Sequence, residues 1–129
     1  MFSHFTPRHI PALFVATTMT FGGMWPLLDA RSAMLEFGMP AHVAEAPAAR
    51  PAFVVGNVRT TVIGSLVFIF YARGQLDAVD TIMAVTGAYA GLVDSWVVWR
   101  EGNTGKAVSR LVSSWVIAAL GFVGFTAGH

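Results

Sequence analysis

The chain has 129 residues, 55% of them hydrophobic and only 12% charged, with a formal net charge of +1 and a mean hydropathy of +0.63. A soluble domain carries charge on about a quarter of its residues, so this composition points to one integral membrane domain over residues 1–129. The small net charge excludes the basic surface that nucleic acid requires. The absence of cysteine excludes disulfides, thiolate metal sites and cysteine nucleophiles.

Four apolar runs follow one another: Ile10 to Leu28, Ala52 to Ala72, Ala78 to Trp99 and Ala107 to Ala127. Each is close to the ~20 residues that span a hydrocarbon core. Backbone groups in lipid must be satisfied internally, so the runs are expected to be helical. The first contains Gly22, Gly23 and Pro26, which kink or end a helix. Arg8 ahead of it resembles the basic start of a signal peptide. The apolar stretch is long for that, however, and no small-residue cleavage site follows, so a retained helix is expected. In the first connection Ala30, Ala33, Met34 and Phe37 share a face at helical spacing, opposite Ser32 and Glu36. Gly38 and Pro40 then stop the chain. This segment reads as a short interfacial helix, and residues 41–51, rich in Ala and Pro, read as a loop. Residues 73–77 and 100–106 make tight hairpins. The expected fold is therefore all-α, a bundle of four transmembrane helices with one interfacial helix.

Charges at bilayer depth usually face a protein interior or a wet cavity. Arg59 in the second run and Asp94 in the third lie roughly 8–10 Å below the same surface, at 1.5 Å per residue. The two helices are antiparallel neighbours, so the charges are expected to pair. Asn57, Thr60, Thr61, Ser113 and Ser114 add polar groups at similar depth. Ala84, Gly87, Gly91, Asp94 and Ser95 share one face, and the Gly87/Gly91 pair permits close helix approach. Gly56, Thr60 and Gly64 form a similar stripe, with Arg59 on its flank. Competing readings are available for each residue. An interfacial Arg can snorkel, and a buried Arg–Asp pair can serve register alone. Glu36 reads first as an exposed carboxylate, and Tyr89, Trp25, Trp96 and Trp99 as packing or belt residues. Residues 102–107 lack the glycine spacing and metal-binding hydroxyl of a phosphate loop. His4, His9, His42 and His129 lack metal-ligand spacing, so neither a metal nor another cofactor is expected.

The segment Gly56-Asn57-Val58-Arg59-Thr60 followed by Gly64, with Pro26, Phe37-Gly38-Met39-Pro40 and a late Asp in the third helix, resembles a family of small four-helix membrane proteins of fungi and bacteria. The likeness runs from Pro26 onward. Some members of that family look like tailoring enzymes of polyketide and terpenoid pathways that open epoxides, cyclise or isomerise. The resemblance implies a cofactor-independent enzyme acting on a lipophilic small molecule, in the endoplasmic reticulum membrane if the host is fungal. Family members commonly carry an acid directly after the Arg. Thr60 stands there in this chain, which leaves Asp94 as the one buried carboxylate. Asp94 would be the acid or base and Arg59 its orienting or oxyanion-stabilising partner. Asn57, Tyr89, Trp96, Ser113 and Glu36 would line the substrate site. The rival expectation is a non-catalytic assembly or lipid-binding accessory protein. Self-association through the small-residue faces stays open under either. A channel subunit is weaker, because the spans carry too few polar residues to line a pore.

Orientation follows from positive charge. Arg31, Arg50, Arg100, Lys106 and Arg110 fall at one surface against Arg8 and Arg73 at the other, which places both termini away from the cytosol. With no native cysteine to interfere, Glu101→Cys should react with an impermeant thiol reagent applied from the cytosolic side, and Gln75→Cys should not. The opposite labelling pattern overturns this orientation.

Overall fold

Glycine and proline set most of the helix ends, and no strand occurs among the described residues, which are 5–128 of this computed structural model. After a 3-10 turn at Pro7–His9 come α1 (Ile10–Gly22), α2 (Trp25–Phe37), α3 (Ala41–Ala44), α4 (Ala49–Ala72) and α5 (Leu76–Val85). A π-helical turn (Thr86–Ala90), α6 (Gly91–Arg100) and α7 (Thr104–Phe122) complete the chain. The segments from Leu76 to Arg100 form one rod.

The first apolar run is not a single helix. Its two parts meet at 99°. The chain leaves α1 at Gly23, and Pro26 sits in the first turn of α2, where the missing N–H costs nothing. Within α2, Asp29 is non-helical (φ −153°, ψ 88°). Its carboxylate accepts from Ser32 N at 3.1 Å and Ser32 Oγ at 2.7 Å, and so acts as an N-cap for the turns that follow. Those turns bury Ala33 and Met34, as their spacing predicts. The helix closes with Met39 N donating to Met34 O at 2.9 Å. The expected loop 41–51 is partly helical: α3 occupies its start, and α4 begins at Ala49, ahead of the apolar run. Both tight hairpins turn on a left-handed glycine, Gly74 (φ 72°) and Gly102 (φ 94°), where a side chain would be strained. Asn103 then caps α7, its side chain accepting from Lys106 N at 3.2 Å.

Two antiparallel pairs result. In the first, α1 packs on α4 with backbone contact at glycines. A Cβ on Gly64 would lie 2.5 Å from Thr20 Oγ1 and 2.6 Å from Thr20 N. Thr61 Oγ1 donates to Thr20 O at 2.9 Å across the same crossing. In the second pair, Gly87 and Gly91 meet Ser114 and Ala118 of α7, and Gly121 meets Asp80 and Ala84 of α5. The small-residue face expected on the third run is thus a true helix contact. Gly56 is not part of the α4 stripe, since it faces open space.

The pairs join at the Gly74 end, where α4 and α1 touch α5 around a core of Ala12, Val15, Ala16, Val67, Tyr71, Val79 and Met83. Toward the Gly102 end α4 makes no extensive contact with α6 or α7. There α2 lies across the gap, with Gly38 against Val98 and Lys106.

Ala49–Ala72 and Leu76–Arg100 are long and apolar enough to cross a membrane, and the bent α1–α2 unit adds a third crossing if it is taken as one span. The exterior suits lipid: Phe14, Leu28 and Phe122 are 66%, 88% and 72% exposed. α7 carries Lys106 and Arg110 in its first two turns and is not among the helices that reach this apolarity.

The crossing at Gly64 yields a stability test. Gly64→Leu should destabilise the detergent-solubilised protein by about 1–3 kcal/mol through overpacking, while Gly56→Leu, which meets open space, should leave its melting temperature nearly unchanged. Equal melting temperatures for the two variants would remove the assignment of Gly64 to the α1–α4 contact.

Candidate functional site

The gap between the helix pairs is a cavity of about 430 Å³. Four helical segments place side chains in it at intervals of three or four residues, the repeat expected of helix faces. They are Val15, Thr18, Met19 and Gly22 from α1; Phe53, Asn57, Thr60 and Ile63 from α4; Thr86, Gly87, Ala90, Gly91 and Asp94 from the π turn and α6; and Arg110, Ser114 and Ile117 from α7. Trp25, Ala33, Glu36 and Phe37 of α2 close the Gly102 end. The π turn lies in the cavity wall. Such turns insert one extra residue and are frequent at functional sites.

Asp94 is half-buried in this wall and accepts no hydrogen bond from a described residue. The cation that faces it is Arg110, which also interacts with Glu36. Arg110 is held firmly. Its Nε donates to Phe37 O at 2.7 Å, and its guanidinium lies 3.7 Å from the centre of the Phe37 ring. A cation at the C-terminal carbonyls of α2 also opposes the helix dipole. Phe37 is braced in turn by an edge-to-face contact with Phe53, with ring centres 5.6 Å apart. The guanidinium Nη groups make no hydrogen bond to a described residue, so they are free to bind an oxygen in the cavity. Beside this point Lys106 Nζ pairs with Glu36 Oε1 at 3.0 Å. A second recess of about 250 Å³ continues outward past Ser109 and Ser113, sharing Glu36, Arg110 and Ser114 with the first.

The expected Arg59–Asp94 pair does not form. Arg59 is exposed, its Nη1 donates back to Val55 O at 2.9 Å, and it does not line the cavity. Arg59 points outward from the flank of α4. Of the other expected residues, Asn57 and Glu36 line the cavity with Asp94. Ser113 stands at the rim of the outer recess, its Oγ donating to Ser109 O at 2.8 Å. Tyr89 is 73% exposed and lies outside the cavity. Trp96 belongs to a separate apolar groove with Trp99 and Leu111, and Arg100 sits over its ring at 5.0 Å.

Two charged residues escaped the sequence reading. Arg110 was counted only as an interfacial positive charge. Its membership of the Ala107, Arg110, Ser114, Ala118, Gly121 face was the available signal. Asp80 is buried at 3% exposure, so Asp94 is not the one buried carboxylate. Asp80 accepts from Thr126 N at 3.0 Å and Ala127 N at 2.8 Å, which fixes the C-terminal turn at the Gly74 end. Arg8 Nε holds the same turn through Phe125 O at 2.9 Å. His9 is buried there against Tyr71, Nδ1 to OH 2.8 Å. His4 and His129 lie outside the described residues. Among the described residues no group of three or more His, Asp or Glu could hold a metal ion.

In comparison with known proteins, residues 16–124 fit the family model described as a domain of unknown function, DUF4267. No curated protein and no solved structure matches the chain.

Arg110 and Arg59 can be separated by experiment. Arg110→Lys loses the Phe37 stack and the oriented Nε bond, so it should cost about 1.5–3 kcal/mol and raise amide exchange across Ala30–Phe37. Arg59→Lys should change neither. Unchanged exchange in Arg110→Lys would show that α2 is not held this way.

Proposed function

The chain belongs to the DUF4267 family, and from the geometry of its cavity we propose that it is a membrane-embedded, cofactor-independent enzyme acting on a lipophilic small molecule by acid/base chemistry. In this reading α7 and the bent α1–α2 unit complete a four-span, multi-pass protein. The step would be a tailoring reaction of secondary metabolism, opening an epoxide by hydrolysis or cyclisation, or isomerising a polyketide or terpenoid. The observation that carries the proposal is an acid without a hydrogen-bond partner among the described residues, Asp94, facing a cavity beside a fixed guanidinium. A carboxylate held only for structure is normally satisfied by nearby donors, as Asp80 is. A volume of about 430 Å³ is also in the range of small-molecule sites.

For an epoxide the chemistry closes without an oxidant or a metal. Asp94 takes a proton from water or from a hydroxyl of the substrate, and that oxygen attacks an epoxide carbon. The carbon–oxygen bond on the far side breaks and leaves an alkoxide. The Arg110 Nη groups hydrogen-bond the growing negative charge without giving up a proton, since guanidinium stays charged. Asp94 then returns its proton to the alkoxide, giving a diol or a cyclic ether alcohol. Asn57 lies across the cavity; its side-chain nitrogen donates to Phe53 O at 3.0 Å, which leaves its amide oxygen to orient the attacking group. The role first given to Arg59 passes to Arg110.

Asp94→Asn should abolish product formation from a terminal epoxide in membranes while leaving the melting temperature within a few degrees of the parent, because the amide keeps its shape but cannot accept the proton. Arg110→Gln should lower turnover by about 10²-fold or more, and Arg59→Gln should not lower it. Full activity in Asp94→Asn removes the mechanism. No turnover by the parent protein across epoxide and hydroxy-epoxide substrates favours the accessory-protein reading instead.

A further inference from the structure

The cavity is graded along its depth. At the Gly102 end its wall carries Asp94, Arg110, Glu36 and Asn57. One turn further in come Thr60 and Ser114, with only hydroxyls to offer. Deeper still, Val15, Ile63 and Ile117 dominate the wall, beside Thr86 and beside Thr18, whose hydroxyl is turned back onto the carbonyls of Phe14 and Val15. Beyond these the space is closed, because Val15 is a member of the buried core and Ile117 packs against it. The same order is written independently on α4 (Asn57, Thr60, Ile63) and on α7 (Arg110, Ser114, Ile117).

We propose that the site takes a slender amphiphile, its oxygen-bearing end between Asp94 and Arg110 and its hydrocarbon end stopped by Val15, Ile63 and Ile117, which thereby select substrate by length. The chemistry assigned to the oxygen-bearing end rests on the function proposed above; the length stop does not. From Arg110 to Ile117 is seven residues, a depth of about 10 Å at 1.5 Å per residue. With carbon–carbon bonds of about 1.5 Å in a zigzag, that depth holds a chain of roughly eight carbons. A rigid ring system of the same length fits the argument equally.

The test uses the purified full chain in detergent and a series of terminal epoxyalkanes from about six to about sixteen carbons, the size range of a cavity ligand. Two quantities are read for each: the shift in melting temperature and the rate of product formation. The melting shift should rise with each added methylene, pass a maximum near eight to ten carbons and then fall, whereas simple partitioning into an apolar phase rises without a maximum. Ile117→Ala and Ile63→Ala should each move the maximum to longer chains by about one or two carbons. Ile63→Phe should move it to shorter ones. A monotonic rise, no melting shift at any length, or a maximum that ignores all three substitutions overturns the length stop. A moving maximum without product keeps the length stop and removes the proposed chemistry. Product formed equally at every length does the reverse.

Discussion

Gly64 and Gly87 bring backbone against backbone within each helix pair, and Gly91 seats the Ser114 side chain directly on its helix. Between the pairs there is no such contact at the Gly102 end, because the residues facing one another there are large or charged. Tight pairs meeting loosely make a wedge. Its narrow end fills with Val67, Tyr71, Val79 and Met83, and its wide end stays open as the cavity. The polar side chains did not have to open the interior; glycine placement did that, and Asp94 and Arg110 occupy space that the packing leaves.

The wide end needs a cover, and α2 supplies it. An amphipathic segment lying across a bundle end is held by few apolar contacts, so electrostatics carries more of the attachment. Arg110 does three things at once. It satisfies the carbonyl of Phe37, stacks on its ring, and faces the carboxylates of Asp94 and Glu36. Lys106 repeats the theme nearer the surface through Glu36. Cover and chemistry are therefore coupled. A ligand oxygen drawn to the Arg110 Nη groups competes for the same guanidinium that ties down α2.

Much of this architecture was legible in the sequence, and the part that was not has a definable cause. Run lengths gave the helices, and small-residue spacing identified Gly64, Gly87 and Gly91 as contact points. The end of α2 at Gly38 and the two hairpins were readable from turn chemistry alone. Depth is only one of two coordinates that place a side chain on a helix. The other is azimuth, and Arg59 sits about 100° away from Thr60, enough to send it outward. Arg110 shares the face of Ala107 and Ala118, both buried, so its inward direction was available from the same wheel. The break at Gly23 and the cap at Asp29 were harder to read. Both depend on how far α2 must turn to lie across the bundle, and no local pattern encodes that.

The π turn at Thr86–Ala90 gives the third rod an unusual arithmetic. One residue more than an α-helix needs shifts the phase of everything beyond it by about 100°. Below the turn the rod addresses the C-terminal segment with Asp80; above it, the cavity with Asp94. An unbroken α-helix would point residues 80 and 94 within about 40° of each other; the π turn swings them toward different neighbours. The irregularity of the helix is thus the means by which one rod serves two interiors.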